Sequence, residues 1–177
     1  MSELVERARI FATAAHGAVG QLRKYTFEPY IVHPTQVAEI VKTTKGCTHH
    51  MIAAAYLHDV LEDTKVTEGT LRIEFGDKVT DLVLWLTNVS KPSDGNRKIR
   101  KELDRQNLAK APAEAQTIKI ADLIANTPSI VEHDVKFAKT YIPEKEALLS
   151  VLGKGDDRLW CEAHRMINSA KQSLKLK

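Results

Sequence analysis

The stretch AAAYLHDVLEDT, residues 53–64, joins a run of small and apolar side chains to a cluster of polar groups. The apolar part is typical of a helix in the protein interior. Residues three and four apart share one face of a helix, so His58 would lie beside Glu62. Asp59 would likewise lie beside Glu62 and Asp63. We therefore expect one continuous helix that carries all four polar groups on half of its surface.

An imidazole and three carboxyl groups on a buried helix are costly to remove from water unless a positive charge lies among them. A divalent metal ion would supply that charge. The alternative interpretation is a solvated polar end to an ordinary helix, which requires no ion.

The length and composition are those of one globular domain. The chain has 177 residues, of which 43% are hydrophobic and 28% charged. A formal net charge of +3 suits an anionic ligand but is too small to indicate a nucleic acid. Cys47 and Cys161 lack metal-type spacing, so we expect free thiols in a cytoplasmic protein. No apolar run reaches membrane-spanning length, and the first residues lack a signal-peptide pattern.

The hydrophobic periodicity is helical almost throughout, and no segment shows a convincing strand pattern. We expect Thr48 to cap a helix that runs to about Asp63, and Pro143 to break a later helix. The sequence thus predicts an all-α protein that forms a compact single domain over residues 1–177. The expected helices begin near Leu4, Pro34, Thr48, Thr67, Val79, Arg97, Pro112, His133 and Asp156.

Two imidazoles and two carboxylates among the polar residues form a hard-to-borderline set of metal ligands. Such a set suits Mn²⁺ or Fe²⁺, with Zn²⁺, Ni²⁺ or Co²⁺ as competitors. A metal that prefers six ligands keeps room for water and a substrate oxygen, as a hydrolytic centre requires. Asp122 has an alternative partner in Lys119, three residues earlier. The set consists of His33, His58, Asp59 and Asp122, and His16 is a further candidate.

The order of these residues, a distant His, an adjacent His-Asp and a distant Asp, resembles the HD superfamily of metal-dependent phosphohydrolases. The match is closer to one branch, the hydrolase domain of Rel/SpoT-type alarmone enzymes and the free-standing small alarmone hydrolases. It spans about residues 5–130. The segments that carry it are AAHG (14–17), QLRK (21–24), EPYIVHP (28–34), AYLHDVLEDT (55–64), FG (75–76) and IKIADLIAN (118–126).

The resemblance implies an all-α, HD-type helical bundle that binds one Mn²⁺ per chain. Glu62 and Asp63 match the acidic pair that positions or activates the attacking water. Either carboxylate could be the base, and we favour Glu62 because it shares the face of His58. The implied metal ligands are His33, His58, Asp59 and Asp122, and the implied substrate contacts are Arg23, Lys24 and Asn126.

The implied reaction is hydrolysis of ppGpp or pppGpp, the alarmones of the stringent response, which releases the 3′-pyrophosphate and leaves GDP or GTP. A divalent ion lowers the pKa of bound water by several units and neutralises phosphoryl charge. Because the chain ends at Lys177, we expect a stand-alone hydrolase whose partner is a small nucleotide. A basic cluster could bind outer phosphates, or it could be a solvated helix face. That cluster consists of Arg97, Lys98, Arg100 and Lys101.

The chain departs from the family in its base-binding loop and after Asp122. The family's glycine-containing turn is replaced by Tyr25-Thr26-Phe27, which is one residue longer and more aromatic. Leu123 stands where the family usually has an arginine, so a bidentate phosphate contact is lost. The alternatives are therefore another phosphorylated nucleotide, such as NADPH or a nucleoside monophosphate, and a catalytically silent nucleotide-binding module.

Overall fold

A computed structural model describes residues 2–176 and confirms the all-α prediction over that range. Within it, β pairing is limited to an isolated antiparallel bridge between Leu22 and Pro29. No helix in the described range has both the length and the apolar character needed to cross a membrane. The chain divides into two compact units, Met1–Thr87 and Asn88–Lys177. The single domain over residues 1–177 stays a prediction, and its two terminal residues lie outside the described range.

The first unit is built around a central helix with no polar face. All of residues 51–57 are buried, because small alanines and apolar side chains point in every direction around that helix. The central helix, α3, packs against the first, second and fifth helices. The helices of this unit are α1 (Glu3–Ala18), α2 (Val32–Lys42), α3 (His49–Leu57), α4 (Val60–Asp63) and α5 (Glu68–Leu86).

Two predicted helix starts in the first unit are confirmed by their caps. The hydroxyl of Thr48 accepts a 3.2 Å hydrogen bond from the backbone N–H of Met51. Thr67 accepts one of the same length from Thr70. The predicted helix end at Gly76 corresponds to a kink inside α5, where this glycine has a φ of 75°.

The continuous helix predicted from Thr48 to Asp63 is wrong, because α3 ends at Leu57 and α4 begins at Val60. Between them, Asp59 has φ −101° and ψ −4°, which departs from regular helical geometry. Its carbonyl accepts hydrogen bonds from both Glu62 and Asp63, so the chain makes a tight turn there. The break falls within the His-Asp pair, because His58 keeps helical φ and ψ values whereas Asp59 does not.

The second unit consists of helices joined by short turns, with α8 and α9 packed on α7 and on each other. The predicted break at Pro143 is wrong, because α8 continues through it. Pro143 and Lys139 are both exposed, so water can bond the carbonyl that the proline leaves without an N–H donor. The helices are α6 (Arg97–Lys110), α7 (Ala113–His133), α8 (Val135–Leu149) and α9 (Asp157–Leu174), and a 3₁₀ turn spans Pro92–Asp94.

Candidate metal centre

Three of the predicted ligands come together in the first unit. His33 lies in the first turn of α2, and His58 and Asp59 lie at the break between α3 and α4. One ligand atom from each residue lies within 4.8 Å of the others. Both imidazoles are buried, whereas the carboxylate is partly exposed. The tertiary fold therefore builds a pocket of donor atoms that is closed on the histidine side and open on the carboxylate side.

The distances between these atoms suit a shared ion. Oδ2 of Asp59 lies 3.0 Å from Nε2 of His58 and 3.7 Å from Nε2 of His33. Two ligands that bind a metal at about 2.1 Å and at a right angle are separated by about 3 Å. The two imidazole rings pack edge to face, with their centroids 5.2 Å apart. The donor atoms thus converge on one point with little rearrangement.

A backbone hydrogen bond sets the tautomer of His58. Nδ1 lies 2.8 Å from the carbonyl oxygen of Ala55, which can only accept a hydrogen bond. The neutral ring therefore carries its proton on Nδ1, and Nε2 keeps the lone pair. This arrangement is typical of metal-binding histidines, because the second ring nitrogen orients the first.

A tyrosine that the sequence did not single out supports the carboxylate. The hydroxyl of Tyr30 donates a 2.6 Å hydrogen bond to Oδ2 of Asp59. Its ring also packs against His33 and His16, with centroid distances of 5.8 and 4.6 Å. Tyr30 lies three residues before His33, and this spacing next to a loop–helix junction was the available signal.

The predicted acidic pair follows the ligands by one helical turn. Glu62 and Asp63 lie on α4, and both side chains are exposed. Oδ2 of Asp63 accepts a 2.8 Å hydrogen bond from the side-chain amide of Gln21. The amide oxygen of Gln21 in turn lies 2.7 Å from Nδ1 of His16, which is buried. His16 is not among the residues that converge as ligands within the described range.

The fourth predicted ligand, Asp122, belongs to the second unit, on α7. Its carboxylate is mostly buried and makes two close polar contacts. Oδ2 lies 2.9 Å from Nζ of Lys119, and Oδ1 accepts a 2.7 Å hydrogen bond from Asn126. The alternative partner expected from the sequence is thus present. The role of Asp122 as a ligand, and that of Asn126 as a substrate contact, stay predictions.

The loop between α1 and α2 carries the predicted base-binding residues. Arg23 is half-buried, and Nζ of the exposed Lys24 lies 4.8 Å from the ring centroid of Tyr25. Phe27 adopts a positive φ of 58°, and 73% of its surface is exposed. A bulky residue rarely adopts this conformation. Phe27 therefore adopts a backbone conformation that is normally occupied by glycine in a turn.

Of the predicted phosphate-binding cluster, Arg97 is already engaged within the second unit. Its guanidinium makes two 2.8 Å hydrogen bonds to the carboxylate of Glu144 and lies 5.3 Å from the ring centroid of Phe137. The hydrogen-bonded carboxylate raises the pKa of Arg97. Arg100 is half-buried on the same helix.

A lysine that the sequence did not single out, Lys145, adds positive charge to this unit. Its ammonium lies 5.0 Å from the ring centroid of Tyr141. Burial, and next the positive charge of Lys119, lower the pKa of Lys145 to about 8. The lowered pKa marks a place in the second unit where added positive charge is unfavourable.

Comparisons with known proteins identify the family of this chain. A family model described as HD domain matches residues 8–134. A guanosine-3′,5′-bis(diphosphate) 3′-pyrophosphohydrolase of Aquifex aeolicus (strain VF5) is 40% identical over 90 residues, which are 51% of this chain and 12% of that protein. A probable GTP pyrophosphokinase of Mycobacterium leprae (strain TN) is 36% identical over 152 residues, 81% of this chain and 17% of that protein. The chain therefore spans less than a fifth of the length of these curated relatives.

Two solved structures share the fold. The structure of a metazoan orthologue of SpoT that hydrolyses ppGpp superposes with a TM-score of 0.84 at 24% identity, covering 96% of each chain. A protein of Listeria monocytogenes EGD-e superposes with a TM-score of 0.68 at 24% identity, covering 86% of this chain and 99% of that one. These likenesses confirm the helical architecture that the motif order implied.

Proposed function

Because the chain belongs to the HD domain family, we propose that it is a metal-dependent phosphohydrolase acting on guanosine 3′,5′-bis-polyphosphates. It removes pyrophosphate from the 3′ position of ppGpp or pppGpp and leaves GDP or GTP. The observation that carries the proposal is the convergence of His33, His58 and Asp59 within 4.8 Å. Relatives named for the 3′-pyrophosphohydrolase reaction support the substrate class.

The proposed cofactor is one Mn²⁺ per chain, and the donor set fits it. Two imidazole nitrogens and a carboxylate oxygen suit a borderline divalent cation. When bound, such an ion supplies positive charge that neutralises phosphoryl oxygens and favours ionisation of water. Ala55 fixes the tautomer of His58, and Tyr30 holds Asp59. The order of the motif supports Asp122 as the fourth ligand.

The chain's own acidic pair completes the proposed chemistry. Glu62 and Asp63 lie one turn beyond the ligands, where either carboxylate can accept the proton of the attacking water. Removing that proton makes water a better nucleophile toward phosphorus. Both side chains are exposed, so they are open to a substrate that enters from solvent.

The proposed contacts of Arg23, Lys24 and Asn126 are carried over from the resemblance, and those of Arg97 and Arg100 from the basic cluster in the sequence. Arg23 and Lys24 flank the base, and Asn126, Arg97 and Arg100 contact the substrate. For Arg97, a phosphate must compete with two hydrogen bonds to Glu144. A doubly charged phosphate is a stronger acceptor than a carboxylate, so the exchange is chemically reasonable.

The proposal also takes residues 1–177 as one domain of a cytoplasmic enzyme. The family match supports a single domain, because its range, residues 8–134, includes parts of both units. Cys47 and Cys161 are free thiols, as a reducing compartment would keep them.

A nucleotide panel tests the function. The full chain is incubated with ppGpp, pppGpp, NADPH and GMP, each with Mn²⁺ and with EDTA, and the products are separated by anion-exchange chromatography. We expect GDP from ppGpp and GTP from pppGpp, with one pyrophosphate per turnover and none in EDTA. Phosphate release from NADPH or GMP alone would favour another phosphorylated nucleotide. No turnover of any substrate would favour the silent binding module.

Metal analysis tests the ligand set independently of turnover. We expect about one manganese per chain after dialysis against Mn²⁺. The variants His33→Ala, His58→Ala, Asp59→Asn and Asp122→Asn should each lower that ratio. Asp157→Asn is the matched control, because this carboxylate is exposed in the first turn of α9. One manganese per chain in Asp122→Asn would show that Asp122 is not a metal ligand, and the other three residues would remain as the proposed ligands.

A further inference from the structure

A glycine-terminated turn at the end of α1 brings two polar side chains back against each other. The backbone N–H of Gln21 donates to the carbonyl of His16, and that of Gly20 donates to Gly17. These two bonds, with Gly20 at a φ of 64°, form a Schellman motif after the last helical residue, Ala18. The side chain of Gln21 is therefore placed next to His16 by the backbone itself.

The hydrogen bonds in this segment run in one direction, from a buried imidazole to an exposed carboxylate. Nδ1 of His16 donates to Oε1 of Gln21 at 2.7 Å, and Nε2 of Gln21 donates to Oδ2 of Asp63 at 2.8 Å. Rotating the amide by 180° would place its oxygen against the carboxylate and its NH₂ group against the imidazole N–H. The contact between the two oxygens would be repulsive, so the carboxylate fixes the amide orientation. The amide oxygen can only accept, and it therefore places the proton on Nδ1 of His16.

His16 is retained in the interior at an energetic cost. The residue is 1% exposed, and among residues 2–176 no hydrogen-bond partner meets its buried Nε2. Leaving a buried polar atom without a partner costs about 1–3 kcal/mol. An apolar side chain would fill this space more cheaply. The bond from Nδ1 to Gln21 is the contact that distinguishes a histidine from such a side chain here.

We propose that His16 and Gln21 are positioning residues that hold the carboxylate of Asp63 in place to accept a proton from the attacking water. The proposal rests on the function proposed above, since it assigns these residues a part in the same hydrolysis. Gln21 engages Oδ2, and the second oxygen, Oδ1, is assigned to the water. The hydrogen bond from Gln21 thus gives the carboxylate of Asp63 a fixed direction.

The arrangement restricts the side-chain rotamers of Asp63. An exposed aspartate samples several side-chain rotamers, and only some of them point an oxygen toward a reacting water. A hydrogen bond from an amide that is itself held by a buried ring restricts that sampling. Because misplacing a catalytic group by about 1 Å can cost about 100-fold in rate, restriction on this scale is measurable.

The first experiment removes the central amide. Gln21→Leu should lower kcat for ppGpp about tenfold, with KM and the bound manganese unchanged. Gln36→Leu is the matched control, since Gln36 is an exposed glutamine on α2 of the same unit. In an Asp63→Asn background, Gln21→Leu should cause little further loss. An equal tenfold loss in that background would show that Gln21 acts on something other than Asp63.

The second experiment separates hydrogen bonding from packing. His16→Asn retains an N–H near the position of Nδ1, whereas His16→Leu fills the space but has no donor. Positioning predicts that His16→Asn keeps a higher kcat than His16→Leu, even if its melting temperature is lower. A higher kcat for His16→Leu would overturn the proposal, because activity would then follow packing alone.

Wild-type turnover distinguishes failure of this inference from failure of the proposed function. A wild-type chain that hydrolyses no nucleotide in the panel overturns both. A wild-type chain that hydrolyses ppGpp, together with a Gln21→Leu variant of unchanged kcat, overturns the positioning role alone. If another nucleotide is the substrate, the same kcat comparisons apply to that nucleotide.

Discussion

Tyr30 and Asp59 are joined by a 2.6 Å hydrogen bond from the phenol to Oδ2. The same carboxylate oxygen lies 3.0 Å from Nε2 of His58, so the tyrosine touches the ligand at the atom that faces the other ligands. Because Tyr30 lies in the loop before α2, this contact also ties the loop to the proposed metal centre. A ligand held in this way loses less conformational freedom when it binds an ion.

Removing the phenol should weaken metal binding without disturbing the fold. In Tyr30→Phe the ring remains packed on His16, and we expect Mn²⁺ affinity to fall about tenfold, as is typical for groups that orient a ligand. Isothermal titration calorimetry of the metal-free protein measures this. Tyr25→Phe is the control, since the phenol of Tyr25 contacts Lys24. Equal Mn²⁺ affinities of wild type and Tyr30→Phe would contradict the assignment.

Neutralising the acidic pair should separate catalysis from metal binding. The double variant Glu62→Gln, Asp63→Asn keeps the size of both side chains but removes their ability to accept a proton. We expect turnover of ppGpp to fall at least 100-fold, in line with the loss of a general base, while bound manganese stays near one per chain. Turnover is measured in quenched reactions, and manganese content is measured on the same protein preparation. Retained turnover would refute the role of the pair.

The strained backbone of Phe27 should lower the stability of the protein, and its exposed side chain should contribute to substrate binding. A left-handed conformation costs a non-glycine residue about 1–2 kcal/mol. Substitution by glycine removes this cost, but it also increases the conformational entropy of the unfolded chain, which offsets part of the gain in stability. Phe27→Gly should therefore raise the free energy of unfolding by up to about 1 kcal/mol. If the exposed ring contacts the base, KM should rise in the same variant. Phe27→Tyr, which keeps the ring, should match wild type in both the free energy of unfolding and KM. An unchanged KM in Phe27→Gly would show that the ring does not contribute to substrate binding.

Lys145 should make stability depend on pH in the alkaline range. Burial lowers its pKa in the folded protein to about 8 from the usual 10.5. Between these values the unfolded chain binds more protons, so this residue's contribution makes stability rise as pH increases. Lys145→Met should be more stable than wild type at pH 7, and the difference should shrink by about pH 10. Thermal unfolding at both pH values measures it, with the exposed Lys139→Met as control. A constant difference would contradict the lowered pKa.

Much of the fold and part of the site were predictable because they depend on neighbours in sequence. The caps at Thr48 and Thr67 act within one helical turn, so local composition was sufficient. His58 and Asp59 are adjacent, and their order relative to His33 in the sequence indicates a shared ion. The break between α3 and α4 was not predicted, because hydrophobic periodicity continues smoothly through that pair.

Helical architecture, the HD-type motif and the residues able to supply ligands can be recognised without coordinates, since each follows from spacing or chemical type. Which polar groups contact one another depends instead on how the helices pack. The bonds from Tyr30 to Asp59 and from Gln21 to Asp63 span 29 and 42 positions. The pairing of Arg97 with Glu144 spans 47. A hydrogen bond needs its atoms within about 3 Å, and packing of whole helices sets that distance rather than any local preference.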